Sequence, residues 1–158
     1  MTRRPRRVSS AAAPAHTRAP LVPTVLLADP DPDARAMLRD ALLEGTGPAD
    51  LRTVDGAETL AEYLATTDDP TAPAPSLILV DEDVPLDAVR AIRSNPDLRP
   101  TPIVVLARNL DPARVQDAYE AGANTVIAKP VTFLALVKLM KVFTAYWLDA
   151  AELPHPRP

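Results

Sequence analysis

The stretch Ser76-Leu77-Ile78-Leu79-Val80-Asp81-Glu82-Asp83 decides how this chain folds. An unbroken apolar run, Leu77 to Val80, leads straight into three acids. Such a run, without polar alternation, reads as a strand buried on both faces. Strands of that kind belong to parallel sheets covered by helices on both sides. The acids at its end then fall where such sheets carry their functional crevice, outside the carboxyl ends of the strands.

Four more units of the same kind surround it. Thr24 to Ala28, Leu51 to Val54, Thr101 to Ala107 and Asn124 to Ala128 read as strands, with Leu51 to Val54 at an edge. Asp31-Pro32 and Asp111-Pro112 both start helices, because Asp caps the N-terminus and Pro suits the first helical position. The first helix carries Ala34, Met37, Leu38, Ala41 and Leu42 at helical spacing and ends at Gly45 and Gly47; the second carries Ala57, Leu60, Ala61 and Leu64. Thr66 to Pro75 is a polar, proline-rich loop, and Pro85 to Ser94 forms a short helix. The helix from Asp111-Pro112 runs to Ala121-Gly122. A last helix follows Lys129-Pro130, with Phe133, Leu136, Val137, Met140, Phe143 and Trp147 as its core stripe; the far end near Trp147 has a dimer contact as its alternative use. Five strand–helix units in succession predict an α/β fold, a five-stranded parallel doubly wound sheet with right-handed crossovers.

Composition narrows the class. A chain of 158 residues, 47% hydrophobic, suits one compact domain with tails, and an aromatic share of 4% leaves the core to aliphatic residues. The absence of cysteine removes disulfides, thiolate nucleophiles and cysteine-ligated metals, and fits a reducing, cytoplasmic location. No apolar run is long enough to span a bilayer, so no membrane association is expected. Residues 1–23 hold five arginines (Arg3, Arg4, Arg6, Arg7, Arg18) and no acid, and read as a disordered leader; Pro14 breaks the only candidate signal-peptide core. The remaining 12 basic residues face all 21 acids, a net of −9, and an acidic body argues against nucleic-acid binding.

The strand ends locate the chemistry. Asp29 and Asp31 follow the first strand, Asp81, Glu82 and Asp83 the third, Ala107 and Arg108 the fourth, and Lys129 the fifth. Converging carboxylates repel one another, and a hard cation such as Mg2+ relieves that repulsion. A lysine beside them supplies a compact charge for a phosphoryl oxygen. Carboxylate, cation and lysine together make a site for phosphoryl transfer to the carboxylate. Other chemistries lack their parts. The four glycines, Gly45, Gly47, Gly56 and Gly122, form no phosphate-binding loop, His16 and His155 lie in the tails, and no G-x-S-x-G elbow exists. Glu82 reads as a solvated acid at the rim.

These segments resemble the receiver domain of two-component response regulators over residues 24–150. The resemblance rests on Val25 to Pro32, Leu77 to Pro85, Pro102 to Ala107, and Ala121-Gly122-Ala123-Asn124 through Ile127-Ala128-Lys129-Pro130. It implies a flavodoxin-like sheet of strand order 2-1-3-4-5. It implies Asp81 as phosphoacceptor, and Asp29, Asp81 and Asp83 as Mg2+ ligands, Asp83 through its backbone carbonyl. It implies Lys129 as the phosphoryl contact, with a bond to Pro130 that is typically cis in that family. The C-terminal Phe143 to Pro154 is similar to the end of stand-alone phytochrome-associated response regulators.

Four departures from the family pattern stand out. Pro30 replaces the second acid of the metal-binding pair, Ala107 replaces the hydroxyl at the end of the fourth strand, Val126 replaces the aromatic switch residue, and the loop after Pro85 is about four residues short. Asp31 has two readings, a substitute metal ligand and the cap of the first helix, of which the cap is preferred. The expected protein is therefore a cytoplasmic signalling receiver and not an enzyme. A histidine kinase is expected to phosphorylate it on Asp81, and output is expected by protein–protein contact through the fourth helix, fifth strand and fifth helix. Residues 151–158 are expected to be a short tail with no output domain. The alternative is a degenerate receiver, a phosphorylation-independent interaction or homodimerisation module. A haloacid-dehalogenase-type phosphotransferase would share the Asp29-Pro30-Asp31 spacing but lacks its cap domain and remaining acidic motif.

Overall fold

A computed structural model describes residues 22–45 and 49–154. The arginine-rich leader up to residue 21, Gly47, His16, His155 and the end of the C-terminal tail lie outside the described residues. Five parallel strands, β1 (Thr24–Ala28), β2 (Asp50–Val54), β3 (Leu77–Asp81), β4 (Ile103–Ala107) and β5 (Thr125–Ala128), form one sheet in the order β2-β1-β3-β4-β5. Between and after them run α1 (Pro32–Gly45), α2 (Ala57–Ala65), α3 (Leu86–Ser94), α4 (Pro112–Ala121) and α5 (Phe133–Thr144), and the chain continues from α5 into a π-helical turn, Ala145–Ala150. This is the expected flavodoxin-like receiver topology.

The strand period of two sorts the core into two layers. Val25, Leu27, Leu77, Leu79, Val104 and Leu106 face one way, onto Leu38 and Leu42 of α1 and Leu136, Met140 and Phe143 of α5. Their neighbours Leu26, Ala28, Ile78, Val80 and Ile103 face the other way, onto Leu60, Val89, Ile92 and Ala121. All residues of the central strands β1, β3 and β4 are buried, whereas the edge strands β2 and β5 are mostly half-buried. A strand with helices on both faces must be apolar throughout, and only the edges escape that demand.

Local chemistry sets the helix ends. The Asp31 carboxylate accepts the Asp33 and Ala34 N–H groups at 2.9 and 3.3 Å, so Asp31 is the cap of α1. Gly122 ends α4 with φ 117°, and a Cβ there would lie 2.5 Å from Arg93 Cγ, so only glycine fits. Gly45 lets the end of α1 reach the α5 backbone: its absent Cβ would meet Lys141 N at 3.2 Å, and the Thr144 hydroxyl donates to the Gly45 carbonyl at 2.9 Å.

Two expectations need correction. Phe133 is not core: it is 40% exposed, because it occupies the first turn of α5, beyond the layer that Leu136 and Met140 fill. The bond between Lys129 and Pro130 is trans, as is every peptide bond of the described residues. Trp147 leans back on the α1–α5 core, tilted against Phe143 and edge-on to Tyr146.

Candidate functional site

Strand register brings the acids together. Ala28 pairs with Val80, so Asp29 and Asp81 take the next positions on adjacent strands. The turn after β5 is fixed by the Lys129 N–H donating to the Ala107 carbonyl at 2.8 Å, which brings Lys129 over the same sheet edge. Its ammonium donates to Asp29 Oδ2 at 2.7 Å and to Asp81 Oδ2 at 2.8 Å. These three side chains are 1% (Asp29), 2% (Asp81) and 8% (Lys129) exposed. The other carboxylate oxygens are also engaged: Asp29 Oδ1 accepts the Asp31 N–H at 3.0 Å, and Asp81 Oδ1 accepts the Asp83 N–H at 2.9 Å. Arg35 donates to the Asp29 carbonyl at 2.7 Å and steadies the turn.

Two buried carboxyl groups share one ammonium. Burial pulls the Lys129 pKa down, but the hydrogen bonds to Asp29 and Asp81 outweigh it, and its pKa is raised. The ammonium therefore stays charged. The donor set is hard oxygen, and the carboxylates of Asp29 and Asp81 could hold a small divalent cation. Among the described residues no three acidic or histidine side chains lie together as a metal-binding group. Pro30 offers no side-chain oxygen, and Asp31 is committed to capping α1, where the Ala34 and Asp33 N–H groups lower its pKa.

The Asp83 side chain turns outward, to the guanidinium of Arg108. Arg108 also grips Glu82, through its backbone N–H at 2.9 Å and its Nε at 3.0 Å, both to Oε1. Arg114 of α4 approaches Glu82 Oε2 at 3.6 Å. Glu82 is thus not a solvated rim acid: its side chain is 12% exposed, and although burial raises its pKa, the bonds from Arg108 prevail and lower it. The sequence offered one signal for this ion-pair group, an arginine directly after β4 beside two acids after β3. Their pairing depends on the alignment of Asp81 with Leu106.

Two of the departures have a visible consequence. Beside β4 a cleft of about 250 Å3 opens between Glu82, Val84, Val105, Ala107, Ala118 and Val126. Small side chains at positions 107 and 126 leave space there, with no hydroxyl at the end of β4 and no ring on β5.

The chain belongs to the response regulator receiver domain family, whose model matches residues 25–141, and it is a receiver-domain protein of two-component signalling. It is similar to the response regulator Rcp1 of Synechocystis, with 29% identity over 104 residues, 63% of this chain and 71% of that protein. It is 30% identical over 112 residues to a probable chemotaxis protein CheY of Rhizobium etli, covering 68% of this chain and 81% of that protein. The match to the two-component response regulator ORR1 of Oryza sativa subsp. indica, 27% identical and covering 76% of this chain, spans 54% of that protein. Among solved structures, the phosphorylated cyanobacterial phytochrome response regulator RcpA superposes with a TM-score of 0.75 at 26% identity, over 85% of this chain and 99% of that one. Response regulator RPA3017, from red-light signalling of R. palustris, superposes with a TM-score of 0.76 at 25% identity and the same coverage. Receiver domains bind Mg2+ or Mn2+ at their acidic pocket and interact with histidine kinases. Among the described residues no helix is long and apolar enough to cross a membrane.

Proposed function

We propose that Asp81 accepts a phosphoryl group from a phosphohistidine of a partner histidine kinase. One observation carries this reading: Asp81 is a buried carboxylate at a strand end, held by a single ammonium that it shares with Asp29. A carboxylate so held is oriented, desolvated and still acceptor-competent, since each oxygen makes one hydrogen bond and keeps a lone pair. In the transfer the Asp81 carboxylate attacks phosphorus, a P–O bond forms as the donor P–N bond breaks, and the electron pair of that bond returns to the imidazole nitrogen. Lys129 then neutralises a phosphoryl oxygen. Asp29, Asp81 and the Asp83 carbonyl would hold Mg2+, which would supply charge neutralisation during the transfer.

Output by protein contact through α4, β5 and α5 is part of the same proposal. Tyr119, Leu134, Val142 and Tyr146 are exposed apolar side chains of α4, α5 and the turn that follows. A second copy of the chain is one partner that such a surface would accept.

The test is direct. The protein is incubated with phosphoramidate and Mg2+, and its intact mass is measured. One added phosphoryl group in wild type, absent in Asp81→Asn, is expected. An inert wild type, or an equal gain in Asp81→Asn, sinks the proposal and leaves the phosphorylation-independent interaction module in its place.

A further inference from the structure

A phosphoryl group on an aspartate presents three strong acceptor oxygens and close to two negative charges. Lys129 serves one of them. The end of β4 offers no second donor at its last position, where Ala107 has only a methyl group. The next residue is Arg108. A guanidinium has five N–H hydrogens in a planar fork. Arg108 uses its Nε hydrogen on Glu82 and one Nη2 hydrogen on Asp83. The other three have no acceptor among the described residues, and the side chain is half exposed.

The position of this fork is constrained from two sides. Its backbone N–H and its Nε both bond the same oxygen of Glu82, a nearly buried side chain. Its outer end reaches the exposed side chain of Asp83, two residues beyond Asp81. The Arg108 pKa is raised by the bond to Glu82, then by Asp83, and the Asp81 carboxylate adds to the effect.

We infer that Arg108 is the second phosphoryl-binding side chain of this receiver, taking over the donor role that Ala107 cannot fill. The inference rests on Asp81 being the phosphoacceptor. Arg108 keeps Glu82 and exchanges Asp83 for the phosphoryl oxygens. An exposed ion pair holds weakly in water, whereas a doubly charged phosphoryl group offers the fork two parallel charge-assisted bonds. The exchange has a route outward. Glu82 stays shared between Arg108 and Arg114, so a movement of Arg108 is felt at α4. This couples the site to the helix without a hydroxyl at position 107 or a ring at position 126.

Beryllium trifluoride with Mg2+ mimics the phosphoryl group without hydrolysis, and its affinity for the full chain can be read by calorimetry. Arg108→Ala is expected to bind it about tenfold or more weakly, the scale of a hydrogen bond to a charged group. Arg108→Lys should recover only part, since it restores charge without the fork. Arg114→Ala, which removes one positive charge from the same group, should stay within about twofold of wild type. Thermal melts establish that each variant is folded. In wild type, the 15N resonance of Arg108 Nε is expected to shift on addition of the mimic, a readout that needs no variant. No binding by wild type, or equal binding by Asp81→Asn, overturns the Asp81 reading itself. Wild-type binding with Arg108→Ala unchanged, or an unmoved Nε resonance, overturns the Arg108 assignment alone. An equal loss in Arg108→Ala and Arg114→Ala assigns the effect to overall charge and overturns it as well.

Discussion

Replacing Lys129 by methionine keeps the aliphatic stem and removes the one ammonium shared by Asp29 and Asp81. The contacts are 2.7 and 2.8 Å. At an effective dielectric of about 20, each is worth roughly 6 kcal/mol of attraction before desolvation. Desolvation of the lysine offsets much of that. What remains in the variant is two buried carboxylates facing each other with no counter-charge, and breaking a buried pair in this way costs about 3–5 kcal/mol. Urea unfolding followed by circular dichroism, in chelator, should therefore show Lys129→Met about 3 kcal/mol less stable than wild type. Millimolar Mg2+ should return part of that loss, because a cation binding the folded state adds stability by mass action. Adding Asp29→Asn should also return part of it, with a coupling energy of about 1–3 kcal/mol in the double-mutant cycle. A variant within about 0.5 kcal/mol of wild type in chelator, less than any buried pair is expected to cost, would refute the charge-balance argument for the site.

Asp31→Ser retains a capping side chain and should leave Mg2+ affinity within about threefold, while Asp31→Ala should lower stability by about 1 kcal/mol, both read from unfolding curves with and without the ion. Gly122→Ala forces a left-handed residue into contact with Arg93 and should cost about 1–2 kcal/mol or more, seen as a lower melting temperature. Leu79→Ala removes a fully buried side chain from the α1–α5 layer and should cost about 2–5 kcal/mol in urea unfolding.

The strand–helix alternation was legible because its physical cause is local. Leu77 to Val80 is apolar throughout since helices cover both of its faces, and Asp31 and Gly122 mark helix ends through backbone chemistry that needs no distant partner. Asp29, Asp81 and Lys129 were legible for a related reason: parallel strands all present their carboxyl ends at one edge. Phe133 was misread as core because helical spacing fixes a face but not how far along the helix the core extends. Arg108 and Glu82 were legible only as charges at neighbouring strand ends, not as a pair. An arginine and a glutamate 26 residues apart become partners only when β3 and β4 align, with Asp81 opposite Leu106.

Sequence by itself determined the number of strands, their parallel arrangement and the set of charged residues at their ends, because periodicity and capping act over a few residues. Only the tertiary structure decided who pairs with whom. One ammonium serves Asp29 and Asp81, the Asp83 side chain leaves the pocket for Arg108, and a largely covered Glu82 sits between two arginines. Those choices depend on ångström-scale distances across four strands, and electrostatic strength depends on distance and burial, neither of which a linear sequence contains.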